Sequence, residues 1–210
     1  MKILIIGATG AAGSRLTDEA LRRGHDVTAA SRSTHRGRIA RAHSTALDGS
    51  SSAQVTDLAL EHDVVIGATR PAPGREDDID AVTEGIGEGA RRASRRLVVV
   101  GGAAPLRVPG TARSALEEPA WVPAKFRAIA AASSRQLEIL RAMPDLDWTY
   151  LAPAAEFGPG TRTGSYRTGG VELVIDAEGR SMVSMEDFAI ALLDEVESPT
   201  TSRGILSIGR

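Results

Sequence analysis

The chain contains no cysteine in 210 residues. That excludes disulfides and thiolate chemistry, and it is compatible with a cytoplasmic location. Aromatic residues make up only 3%, which disfavours a base-stacking surface. The net charge is −2, which argues against a general nucleic-acid or membrane surface. Four histidines are scattered without metal-ligand spacing, so no metal site is expected. The opening apolar run, Ile3-Leu4-Ile5-Ile6, is too short for a signal peptide or a membrane helix, and the fold needs it. Apolar and charged contents of 42% and 25% are ordinary, and the length suits one domain with a sizeable core.

What the chain does have is glycine at a fixed spacing. The run from Ile3 reads as a strand buried on both faces. Gly7, Gly10 and Gly13 then recur every third residue. An amphipathic helix follows over residues 14–23, with Leu16, Ala20 and Leu21 on one face and Gly24 as its stop. Strand, tight turn and helix is the geometry that cradles a diphosphate. Gly7 lets the chain leave the strand in a conformation a Cβ opposes. Gly10 lets a pyrophosphate lie against the backbone, and Gly13 lets the helix pack closely on the strand. The free N–H groups and the dipole of the helix favour the phosphates. The spacing is GxxGxxG rather than the usual GxGxxG. The alternative is a glycine turn that only packs a helix on a sheet.

A second strand is expected at residues 25–30, ending at Ser31-Arg32-Ser33. An Asp or Glu there would bind both ribose hydroxyls and favour NAD. The chain instead has Arg32 between two hydroxyls, with His35, Arg36 and Arg38 close behind. A guanidinium fork with hydroxyl neighbours suits a 2′-phosphate, so NADP is favoured over NAD. The alternative is a solvated basic loop. Residues 42–47 read as a third strand. Asp48 after it is placed either to accept from an adenine amino group or to cap the helix over residues 51–61, or both.

The fourth strand is residues 62–67. Ala68, Thr69 and Arg70 follow it, and small residues there leave room for a ribose and nicotinamide. A helix over residues 77–96 has an acidic start and a basic end. The fifth strand, from Arg96, ends at Gly101-Gly102. Residues 106–123 are irregular and expected to shape a substrate pocket. A helix spans 123–143 and a sixth strand 147–152. Pro153, Ala154 and Glu156 then fall where a nicotinamide amide needs backbone partners. Residues 171–175 and 179–183 read as a hairpin, Ser184 as the cap of a helix to about Val196, and residues 204–209 as a last strand. The whole is a doubly wound parallel α/β sheet, a Rossmann fold. It forms one domain, 1–210, whose part from about residue 153 covers the pocket.

The segments Gly7-Ala8-Thr9-Gly10-Ala11-Ala12-Gly13, Val99-Val100-Gly101-Gly102-Ala103, residues 147–153 and Ser184-Met185-Glu186-Asp187-Phe188-Ala189 together resemble an atypical short-chain dehydrogenase/reductase. The likeness runs to the small NAD(P)H-binding proteins related to biliverdin reductase B, a flavin reductase, and to NmrA-like regulators. It covers essentially the whole chain. The resemblance implies a dinucleotide held by Thr9, Ala11, Ala12, Arg32, Asp48, Thr69, Gly102 and the stretch from Pro153 to Glu156.

It carries over no catalytic residue. Most short-chain reductases use a Tyr-x-x-x-Lys pair as the proton donor. Here Phe126 and Ala130 stand where that pair falls, and neither moves a proton. Lys125, Glu156 and Tyr166 are candidate helpers, each with a plainer role: solvated helix start, loop acceptor, pocket lining. Two functions follow, ahead of an isomerase or epimerase with retained cofactor, which the absent tyrosine disfavours. One is NADPH-dependent reduction of a flat conjugated acceptor (a flavin or quinone) that takes its proton from water. The other is a non-catalytic NADP(H) sensor of the NmrA-like type. A small-molecule substrate and a monomer or homodimer are expected.

Overall fold

A computed structural model describes residues 1–33 and 42–210. Strands β1 (Lys2–Ile6), β2 (Asp26–Ser31), β3 (His43–Ala46), β4 (Val64–Gly67), β5 (Arg96–Val100) and β6 (Trp148–Pro153) alternate with four helices. These are α1 (Ala11–Arg22), α2 (Ser52–Ala59), α3 (Asp78–Arg92) and α4 (Arg127–Arg141). Three short strands follow: β7 (Glu156–Gly158), β8 (Arg167–Thr168) and β9 (Met182–Ser184). Helix α5 (Met185–Glu197) and strand β10 (Gly204–Gly209) end the chain.

The main sheet runs β3-β2-β1-β4-β5-β6-β10-β8. Every pairing is parallel except that of β8 with β10. This is the expected doubly wound order, reversing direction between β1 and β4. Side chains alternate across a strand. Ile3 and Ile5 therefore pack with Leu16 of α1 and Phe188 and Leu192 of α5. Leu4 and Ile6 pack on the other face with Ile86 of α3 and Leu137 and Leu140 of α4. Both faces are covered, which is why β1 is apolar without alternation. Among the described residues, no helix is long and apolar enough to cross a membrane.

Three boundaries move for local reasons. Helix α1 begins at Ala11, three residues early, directly from the glycine turn. Helix α3 ends at Arg92, because Ser94 turns left-handed (φ 54°) and lets Arg96 enter β5. A 3-10 turn, Ala124–Phe126, precedes α4. The hairpin expected over residues 171–183 is replaced by two separate pairings. The turn itself forms, with the Asp176 carboxylate accepting from the N–H groups of Glu178 and Arg180. Its two arms diverge, however. Leu173 N–H donates to Arg107 O and Arg107 N–H to Val171 O, while β9 pairs in parallel with β7. Alternation marked the strands but not their partners. After Pro153 the chain divides: α5 packs on α1, β10 extends the main sheet, and the β7–β9 pair stands beside it.

Helices α1 and α5 are joined by ions. Glu19 is almost wholly buried and accepts from Arg22, Arg23 and Arg162. Arg23 also reaches Asp194 and Glu197 at 2.8 and 2.7 Å. Burial raises the Glu19 carboxyl, but Arg162, Arg23 and Arg22 outweigh it and hold the pKa at about 2. An acid with a depressed folded pKa stabilises the fold fully above its unfolded value. That stability is lost as pH falls through the folded value. Urea unfolding is therefore expected to lose on the order of 3 kcal/mol from this one group between about pH 5 and pH 2. Glu19→Gln should be less stable at neutral pH and flatter across that window; an equally steep acid loss in the variant contradicts the assignment.

Candidate functional site

The site begins where β1 turns into α1. Gly7 is left-handed (φ 89°), and its N–H donates to Ala30 O at 2.9 Å. A Cβ on Gly7 would lie 2.4 Å from Ala68 O, the first residue after β4. A Cβ on Gly13 would lie 2.1 Å from Gly7 O and 2.9 Å from Ala8 Cα. Three backbones thus meet without side chains between them, and Gly7 and Gly13 are required for that approach. Gly10 is different. It is exposed, and its Cβ would meet only Gly7 O closely, at 3.2 Å.

This packing aims the start of α1 across the strand ends. Gly10 is the N-cap without a side-chain cap bond, and the first turn carries no acid. Among the described residues, the N–H groups of Ala11, Ala12 and Gly13 have no protein acceptor, as the first turn of a helix requires. Thr9, Gly10 and Ala11 are partly or fully exposed at the tip. The residues fit a dinucleotide. The turn is exposed at Gly10, the first turn of α1 carries no acid, and the Glu186 carboxylate near it is paired with Arg15 at 2.5 Å.

The far side of the cradle is the end of β2. Arg32 and Ser33 are exposed there. Ser31 Oγ donates to Ser33 O at 2.7 Å, which shapes this corner. Ser31 O accepts from Leu47 N–H, joining the ends of β2 and β3. Asp48 accepts from Ser50 N–H and Oγ at 3.0 and 2.8 Å. Those two bonds lower its pKa, and the charge of Arg32 adds to them. Asp48 does not cap α2: Ser51 does, accepting from Gln54 N–H. His35, Arg36 and Arg38 lie outside the described residues.

The remaining side, where the sequence predicts the nicotinamide, is built from β4, β5 and β6. Ala68 lies against Gly7; Thr69 is half-buried and Arg70 exposed. Gly102 is a joint that the sequence does not reveal. Its N–H donates to Tyr150 Oη at 2.8 Å, and Tyr150 Oη donates to Ser133 O of α4 at 2.9 Å. Tyr150 is fully buried, and burial pushes its pKa up to about 12. Pro153 and Ala154 are buried. The N–H groups of Ala155 and Glu156 are taken by Ser181 Oγ and O, at 3.2 and 2.9 Å. The Glu156 amide therefore faces Ser181, and its side chain is exposed.

The candidate proton donors are sorted by the same geometry. Tyr166 donates to Asp194 at 2.5 Å, and Asp194 in turn binds Arg23 at the far end of α1. A 12-residue helix puts that end about 18 Å from Ala11. Burial and the Asp194 carboxylate push Tyr166 up to about 12. Tyr166 is a structural tie rather than pocket lining. Lys125 Nζ sits 4.9 Å from the centre of the Phe126 ring. Phe126 precedes α4 and Ala130 lies in it, so no Tyr-Lys pair forms. Among the described residues, no group of His, Asp or Glu side chains is arranged to hold a metal.

Comparison with known proteins agrees with this geometry. Residues 7–199 match the NAD(P)H-binding family. YwnB of Bacillus subtilis, an uncharacterized protein, is 35% identical over 95% of this chain and 93% of its own. A candidate exported protein of Burkholderia pseudomallei superposes over the full length of both chains, with 38% identity and a TM-score of 0.90. A candidate NADH-flavin reductase of Streptococcus pneumoniae covers 100% of this chain and 99% of its own, with 29% identity and a TM-score of 0.83. The chain belongs to the NAD(P)H-binding family.

The glycines separate folding from binding. Gly13→Ala drives a Cβ into backbone and should cost about 1–3 kcal/mol or more in thermal unfolding. Gly10→Ala puts its Cβ 3.2 Å from Gly7 O, a contact that a small shift of the exposed turn relieves. It should keep its melting temperature within a few degrees while NADPH affinity, by calorimetry, falls about tenfold or more. Unchanged affinity in Gly10→Ala contradicts the cradle.

Proposed function

We propose that this member of the NAD(P)H-binding family takes NADPH in preference to NADH and reduces a flat conjugated acceptor, a flavin or a quinone. The observation that carries the reading is the fate of its tyrosines. Tyr150 is buried with its hydroxyl bonded to Gly102 and Ser133, and Tyr166 is bonded to Asp194 at the other end of α1. Neither is placed to pass a proton to a carbonyl. An acceptor that takes its proton from water needs no such group.

The bound nicotinamide supplies a hydride. The chain supplies position. Ala11, Ala12 and Gly13 present N–H groups to the diphosphate, and the α1 dipole favours its charge. Arg32 offers a guanidinium fork to the 2′-phosphate. Tyr150, by tying Gly102 to α4, sets the wall beside the nicotinamide. The pneumococcal relative's name supports the acceptor class. It names NADH, however, and the preference for NADPH rests on Arg32. The reading includes a small-molecule substrate and a monomer or homodimer working in the cytoplasm.

Two measurements test it. Steady NADPH oxidation is expected with at least one member of a flavin and quinone panel. Tight NADPH binding with no turnover across the panel would overturn the reductase in favour of an NADP(H) sensor. Arg32→Ala should weaken NADPH binding by about 1–3 kcal/mol, the range for bonds to charged groups, and barely change NADH. Equal losses for both nucleotides contradict the phosphate assignment.

A further inference from the structure

We infer that Phe126, with Lys125 beside it, is the stacking platform for a flavin acceptor; this rests on the reductase reading above and names where its substrate lies. The chain has three Phe, two Trp and two Tyr. Trp148, Tyr150 and Phe188 are buried in the core, and Trp121, Phe157 and Tyr166 pack against it. Phe126 alone belongs to neither face of the core and is 47% exposed. A chain this poor in aromatics leaves one ring in the open.

That ring is on the right edge of the sheet. Strands β5 and β6 are parallel neighbours, and α4 is the crossover between them, so α4 runs against them. Its first residues stand over the C-terminal strand ends, the edge that also carries the Gly7 turn and Thr69. The register is fixed by Ser133, whose carbonyl meets Tyr150 beside Gly102. Phe126 lies seven residues earlier, about 10 Å further out along the helix.

Lys125 completes the chemistry. Its ammonium lies over one face of the ring, 4.9 Å from the centre, so the flavin takes the other face. A flavin that accepts a hydride at N5 becomes a reduced anion with its charge at N1, and the nicotinamide is left oxidised. Nothing else is consumed. A cation on the far face of the Phe126 ring offsets part of the charge that develops.

Riboflavin titrated into the protein with NADP present, followed by quenching of flavin fluorescence, reads the platform without turnover. Phe126→Ala should weaken riboflavin binding about tenfold or more, the scale of one lost aromatic stack, with NADPH affinity unchanged. Phe126→Trp should retain it. Lys125→Met should keep oxidised riboflavin bound and slow its reduction by NADPH. Riboflavin bound as tightly by Phe126→Ala as by the unaltered protein overturns the platform and leaves the reductase standing. If the unaltered protein binds NADPH yet neither quenches nor reduces any flavin, the flavin reading falls and the platform with it.

Discussion

Gly7 touches two other backbones with no side chain between. On one side is Ala68, leaving β4; on the other is Gly13, the third residue of α1. This contact holds the start of α1 over the point where the sheet order reverses. Everything else in the site is referred to it. The unbonded N–H groups of Ala11 and Ala12 have a direction because α1 is pressed onto β1. The corner at Arg32 faces them because Gly7 and Ala8 both donate to Ala30, one residue before the end of β2. Close backbone packing leaves no rotamer to adjust, so the cradle is formed before any ligand arrives.

The opposite end of α1 is held in another way. There Glu19, Arg23, Arg162, Asp194 and Tyr166 form a partly buried ionic and hydrogen-bonded group. That network fixes the helix against α5 and the loop carrying Arg162. At the glycine end the first turn carries no acid, and the one carboxylate near it, Glu186, is paired with Arg15. A charged network at the first turn would compete with the diphosphate for the same positive potential. Both tyrosines serve the scaffold, Tyr166 through Asp194 and Tyr150 through Gly102 and Ser133.

Local features of the site were legible in the sequence. The glycine spacing encodes contacts within a dozen residues, so strand, turn and helix could be read directly, as could Ser184 capping α5. The apolar runs of β1, β4 and β5 marked a sheet covered on both faces. What was not legible depends on register. Tyr150 looked like a core residue, and so it is, but its bonds to Gly102 and Ser133 join three distant segments. Ser181 takes two amides near Pro153 for the same reason. Asp48 is the cap the sequence offers, whereas Asp48 binds Ser50 and Ser51 caps α2. The expected hairpin failed because alternation does not say which strand a strand will meet. Tyr166 was placed in the pocket by its loop, whereas Asp194 draws it to the far end of α1.

The central claim is that the backbone of the β1–α1 turn, not a side chain, grips the cofactor. Amide chemical shifts in a 15N-labelled sample read those groups one by one. On titration with NADPH the largest shifts should fall on Thr9, Gly10, Ala11, Ala12 and Gly13 and saturate together, with Tyr166 and Asp194 unmoved. A saturable NADPH complex that left those five amides where they were would contradict the account.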